Sequence, residues 1–203
     1  MSTNAKVHNS PGSMGAKVKL RANALDYVTP ARVLDCYCGP VGEMHAAVWH
    51  RAAEYTGIDE DFRWPDKRCR FVADTCTVLR SIDLTAFNVF DIDAFGSPWE
   101  AADIIAQRRR WAKGELGAVL FTDGSSLKSR WGGAPRAAAS LAGMKRMDIA
   151  PCIAAGRNVS AAAMRGWLAR SNVKPLKRWD AEGRGLGLSS LLMLYTAIVF
   201  EGA

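Results

Sequence analysis

The 203-residue chain has no apolar run of bilayer-spanning length. The longest, LLMLYTAIVF, is about half of the ~20 residues that a spanning helix needs. Its first residues, MSTNAKVHNS, contain no apolar core of the kind a signal peptide carries. A cytoplasmic protein with no membrane partner is therefore expected. Histidine is scarce, with His8, His45 and His50 alone, and neither HxxxH nor a paired CxxC occurs. Cys36 and Cys38 would begin a metal site whose remaining ligands are missing, so no metal is expected. The five cysteines (with Cys69, Cys76 and Cys152) are odd in number and follow no regular framework, which argues against a disulfide scaffold. Internal repeats, low-complexity tracts, a P-loop and a G-x-G-x-x-G fingerprint are all missing.

What is present is enough apolar material, 49% of residues, for one domain with a full core. Residues 1–16, polar and broken by Pro11, Gly12 and Gly15, read as a flexible tail, and residues 17–203 as the domain. The net charge of +7 is unevenly spread. Residues 1–100 hold 11 Lys/Arg against 13 Asp/Glu, whereas residues 101–203 hold 16 against 7. A basic half is the electrostatic footprint of a polyanion-binding protein, and solubility is its plainer explanation.

Hydrophobic periodicity alternates along the chain. A helix is expected over AKVKLRANALDYV, ended by Pro30. Buried strands are expected at ARVLDCYC, YTGID, CRFVAD, FNVFDID and LGAVLFTDG, with helices at EMHAAVWHRAAEY, TVLRSIDL and PWEAADIIAQRRRWAKG between them. NVSAAAMRGWLARS reads as a helix with Asn158 as N-cap, and the C-terminus as two strands joined by a Gly-rich turn. This order predicts an α/β fold: a Rossmann-like, doubly wound, mostly parallel sheet with helices on both faces.

In such sheets ligands bind beyond the C-terminal strand ends. The first four strands of this chain each end in acid: Asp35, Asp59, Asp74, and Asp91 with Asp93. Gly39 and Gly42 bracket the turn after the first strand, where glycine lets a ligand approach the backbone. An acid at the second strand tip can accept both hydroxyls of a ribose.

These stretches, VLDCYCGPVG, GIDED, VAD and DIDAFGSP, resemble the successive motifs of class I S-adenosylmethionine (SAM)-dependent methyltransferases over roughly residues 31–123. The resemblance implies SAM as cofactor, seven strands with the last antiparallel, and a transferase activity. It assigns Asp35, Gly39 and Gly42 to the methionine part of SAM, Asp59 to the ribose, and Asp74 with Thr75 to the adenine. DIDAFGSP is similar to the D-x-D-P-[FY]-G-S-P motif of tRNA guanine-N2 dimethyltransferases, with Ala94 in place of proline. On that match Asp93 contacts the target amine, Phe95 stacks on the base and Pro98 helps shape the pocket. Asp91 is the alternative acid, or a partner of the SAM ammonium. The residue types suit the chemistry. An exocyclic amine has its lone pair delocalised into the ring, and an acceptor for its N–H stabilises the charge that develops during transfer. Ser97 as N-cap and Pro98 at the first helical position explain the same stretch structurally, but leave Asp93 and Phe95 unexplained.

The expected reaction is thus methylation of an exocyclic amino group of a base, in RNA more than DNA. A small-molecule methyltransferase and a non-catalytic binding module of the same fold are the alternatives. Arg130, Trp131 and Arg136 in SRWGGAPR are candidates to grip the substrate, and KPLKRW in the last hairpin to contact its backbone. Lys17 and Lys19 are expected near the SAM site. QRRRW is expected to be a solvated helix end, and Cys152 is not read as a nucleophile for C5 methylation.

Overall fold

A computed structural model describes residues 11–60, 70–94, 96–125, 133–144, 153–184 and 192–203. Seven strands form one sheet in the order β3-β2-β1-β4-β5-β7-β6. They are β1 (Arg32–Asp35), β2 (Glu54–Asp59), β3 (Arg70–Val72), β4 (Val89–Ile92), β5 (Leu116–Asp123), β6 (Val173–Arg184) and β7 (Leu192–Gly202). β7 runs antiparallel to both of its neighbours, β5 and β6, and the other pairs are parallel. The helices are α1 (Pro11–Leu25), α2 (Glu43–Ala47), α3 (Thr75–Ser81), α4 (Trp99–Arg108), α5 (Arg136–Leu141) and α6 (Ile153–Ser171).

The central strands are buried on both faces, as their unbroken apolar runs require. Val33 and Leu34 of β1 are both fully buried and face opposite layers. On one side Val33, Val89, Ala118 and Leu120 pack under Leu20, Ala24 and Leu25 of α1 and under Trp49. On the other, Leu34, Phe90 and Phe121 pack under Trp99, Ile105 and Trp167. Trp99 stacks on Phe121 with centroids 5.2 Å apart, and Trp167 meets Phe200 at 5.6 Å. In α6, a Cβ on Gly166 would lie 1.6 Å from the Leu141 carbonyl oxygen, so the α5–α6 crossing is possible only with glycine there. At the sheet edge β6 has a register break between Pro175 and Lys177.

Four expectations are corrected. Residues 11–16, assigned to the tail, belong to α1. The helix expected over residues 43–55 stops at Ala47 and gives way to a 3-10 turn, Trp49–Arg51. α6 starts at Ile153, so Asn158 lies inside it and caps nothing. QRRRW is a solvated end only in part: Gln107, Arg108 and Arg110 are exposed, but Arg109 is 2% exposed. Its guanidinium bonds the carbonyls of Phe87 and Arg110 and the carboxylate of Glu115, and lies 4.1 Å from the Trp111 ring.

Candidate functional site

Sheet register gathers the acids. Asp35 on β1 is the direct partner of Asp91 on β4, and Asp59 ends β2 one strand away. Strand alternation puts Asp35, Asp91 and Asp93 on the α1 face of the sheet, since Leu34 and Phe90 face the other layer.

Two cations of α1, one helical turn apart, meet these acids. Arg21 forks onto Asp91, with Nε 2.6 Å from Oδ2 and Nη2 2.7 Å from Oδ1, and reaches Asp93 Oδ2 at 3.1 Å. The indole N–H of Trp49 donates to Asp91 Oδ2 at 2.8 Å. Lys17 Nζ lies 2.7 Å from Asp93 Oδ1, with the two side chains 6% and 11% exposed. Burial works against the charge on Asp93, but Arg21 and Lys17 outweigh it and hold the carboxyl below its usual range. Asp35 goes the other way: burial, then the Asp91 carboxylate, push it well above that range. The hydroxyl of Tyr55 donates to Asp35 Oδ2 at 3.0 Å.

The glycine turn is built as its sequence implies. Gly39 has φ +72° with open space where a Cβ would stand, and Gly42 has φ +65° at the start of α2. The Gly39 N–H donates to Asp59 Oδ2 at 2.9 Å, so Asp59 sits against the loop that it was expected to share a ligand with. Asp74 caps α3, accepting from the Thr77 N–H at 2.8 Å, and those hydrogen bonds lower its pKa. Thr75 donates to the carbonyl of Cys36 and ties α3 to the end of β1.

The turn after β4 differs from its expected capping. α4 begins at Trp99 with Pro98 in the cap position, so Ser97 does not cap it. Among the described residues the buried Ser97 Oγ has no hydrogen-bond partner. The turn is fastened to β5: Gly124 N–H donates to the Gly96 carbonyl at 2.6 Å, and Trp99 Nε1 to Asp123 Oδ2 at 2.9 Å.

Arg136 is exposed at the start of α5, and Lys19 is exposed on α1 away from the acids. Phe95, Arg130 and Trp131 lie outside the described residues. Sequence reasoning missed Arg21, Trp49 and Asp123. The spacing of Lys17 and Arg21, four apart on a helix whose other buried positions include Leu20, Ala24 and Leu25, was the available signal for a charged site under α1. A hollow of about 410 Å³ among Leu25, Pro30 and Ala53 lies by the N-terminal ends of β1 and β2, away from this chemistry.

The residues fit a cationic nucleoside cofactor. Three clustered carboxylates face two cations, an acid stands at the β2 tip, backbone space is open at Gly39 and Gly96, and Ser97 offers an unpaired hydroxyl. Among the described residues no cluster of three His, Cys, Asp or Glu is arranged to hold a metal, and no helix is long and apolar enough to cross a membrane.

No family model and no curated protein matches the chain. Solved structures do. Trm1 from Pyrococcus horikoshii in complex with S-adenosyl-L-methionine is similar over 100% of this chain and 59% of its own, with TM-score 0.58 and 14% identity. TYW2 of M. jannaschii in complex with AdoMet matches with TM-score 0.58 and 9% identity over 98% of this chain and 80% of its own. Geranyl diphosphate methyltransferase in complex with GPP and sinefungin matches with TM-score 0.51 and 12% identity, covering 95% and 80%. The chain thus has the fold of SAM-dependent methyltransferases, and it spans about three-fifths of the length of the Trm1 structure.

Proposed function

We propose that the chain is a SAM-dependent methyltransferase that methylates nitrogen, the exocyclic amino group of a base, in RNA more than DNA. The observation that carries this reading is Asp93, a nearly buried carboxylate at the tip of β4 that is held ionised and already binds a nitrogen donor at 2.7 Å. SAM supplies an electrophilic methyl group on a positively charged sulfur. Asp59 would receive its ribose, and Asp35 with the Gly39–Gly42 turn its methionine side, with Asp74 and Thr75 bordering the adenine. Asp93 would accept the target N–H, so that the nitrogen lone pair points at the methyl and the growing positive charge meets a fixed anion. Asp91 is a positioning residue in this reading, because its oxygens are committed to Arg21 and Trp49 and it aligns Arg21 against Asp93. Phe95 would stack on the base, Pro98 would shape the turn, and Arg130, Trp131 and Arg136 would grip the polymer. A duplexed base would have to be flipped out to reach Asp93.

The test is methyl transfer from radiolabelled SAM to total tRNA, ribosomal RNA and unmethylated DNA in parallel. Label is expected in an RNA pool and is expected to fall by at least about a hundredfold with Asp93→Ala. Label in DNA alone would correct the polymer. No label in any pool, with SAM bound, would remove the nucleic-acid reading and leave a small-molecule methyltransferase.

A further inference from the structure

We propose that the position facing Asp93 Oδ1 is an amine-binding place that Lys17 fills in the free protein, and that a substrate amine enters by displacing it, with the first turns of α1 as the gate. The inference rests on the reading of Asp93 as the acceptor for the target amine.

Both oxygens of Asp93 are engaged, but not equally. Arg21 reaches Oδ2 with one arm of a guanidinium whose fork is fixed on Asp91 and whose Nη1 is tied to the Lys17 carbonyl at 3.1 Å. It cannot leave without stripping a buried carboxylate. Lys17 meets Asp93 as a point charge on a flexible stem, the kind of contact that exchanges. Its ammonium also lies 5.8 Å from the centroid of the Tyr195 ring, a second resting place for a displaced cation. The ammonium presents to Oδ1 the same N–H donor that an exocyclic amine would. Little room is left at this place, since the Lys17 and Asp93 side chains are only 6% and 11% exposed. Entry therefore requires movement of α1 or of the Lys17 side chain.

Lys17→Ala leaves an ammonium-sized gap beside the carboxylate. Propylammonium chloride is the probe and sodium chloride at equal strength the control, with thermal denaturation as the readout. The Tm of Lys17→Ala is expected to rise with propylammonium beyond the salt control. Wild type, and Lys17→Ala combined with Asp93→Asn, are expected to show no such excess. An equal response to both salts in Lys17→Ala, or an equal excess in wild type, overturns the proposal. Should Lys17→Ala not fold, Lys17→Met keeps the stem and is tested in the labelled-polymer assay. There kcat/KM is expected to rise about tenfold, mostly through KM. A fall in kcat/KM for Lys17→Met overturns the proposal, because Lys17 would then be needed in place. Stabilisation of Lys17→Ala by propylammonium with no label in any polymer would retain the amine site and remove only the nucleic-acid reading.

Discussion

Asp35, Asp91 and Asp93 share one face of the sheet with Lys17 and Arg21 as their cations, and the charges balance only if one acid keeps its proton. Asp35 is that acid, because it has a phenol rather than a cation against it. Its folded-state pKa is raised, so the folded chain holds this proton more tightly than the unfolded chain does. Stability from this group is therefore lost as pH rises from the ordinary carboxylate range through the raised value. Asp35→Asn removes that loss: its Tm is expected to exceed wild type at pH 8 and to match it near pH 4, measured by thermal melts across pH. The same variant is expected to bind SAM more weakly, because the cofactor's positive charge favours the ionised form. The acids at the strand tips were legible from sequence because an acid ending an apolar run is visible in one dimension. Their partners were not. Arg21 lies 70 residues from Asp91, and Asp123 is committed to Trp99 and Ser125.

Among the elements, strands were placed more securely than helix ends. β1, β2, β4 and β5 fall within a few residues of their expected bounds, since two-sided burial leaves an unbroken apolar signature. α2 stops early because Trp49 turns inward to reach Asp91, a tertiary demand that helix propensity does not contain. Arg109 ends α4 in the same manner by folding under it. Gly166 shows a constraint of the opposite kind, a glycine inside a 19-residue helix where propensity disfavours it. Gly166→Ala gains helix propensity and loses the α5–α6 crossing. The net expectation is destabilisation of about 1–3 kcal/mol, read from chemical denaturation, with SAM affinity unchanged.

For the whole molecule, charge asymmetry overstated the free positive surface. In the second half of the chain Arg157 pairs with Glu182, Arg170 with Asp103, Lys174 with Glu201 and Arg178 with Asp180. Three of these pairs involve the C-terminal hairpin and Arg170–Asp103 joins α6 to α4, and all neutralise cations that composition alone counts as available. A shallow salt dependence is therefore expected for RNA binding: about two to four phosphate contacts, giving a log–log slope of roughly −1.4 to −2.8 for single strands. Filter binding of labelled tRNA across a sodium chloride series measures it, and a flat response would count against a polyanionic substrate.

The break in β6 has its own consequence at this scale. A twelve-residue strand at the rim of a sheet is a template on which another chain's strand can grow. Here Pro175 withholds a backbone donor, the register slips before Lys177, and Lys174 and Lys177 stand exposed along the same rim. An incoming strand would find neither a continuous ladder nor a neutral surface. The edge is thus defended against fibril-like stacking, which lets the chain keep a long outer strand without growing into a polymer of itself.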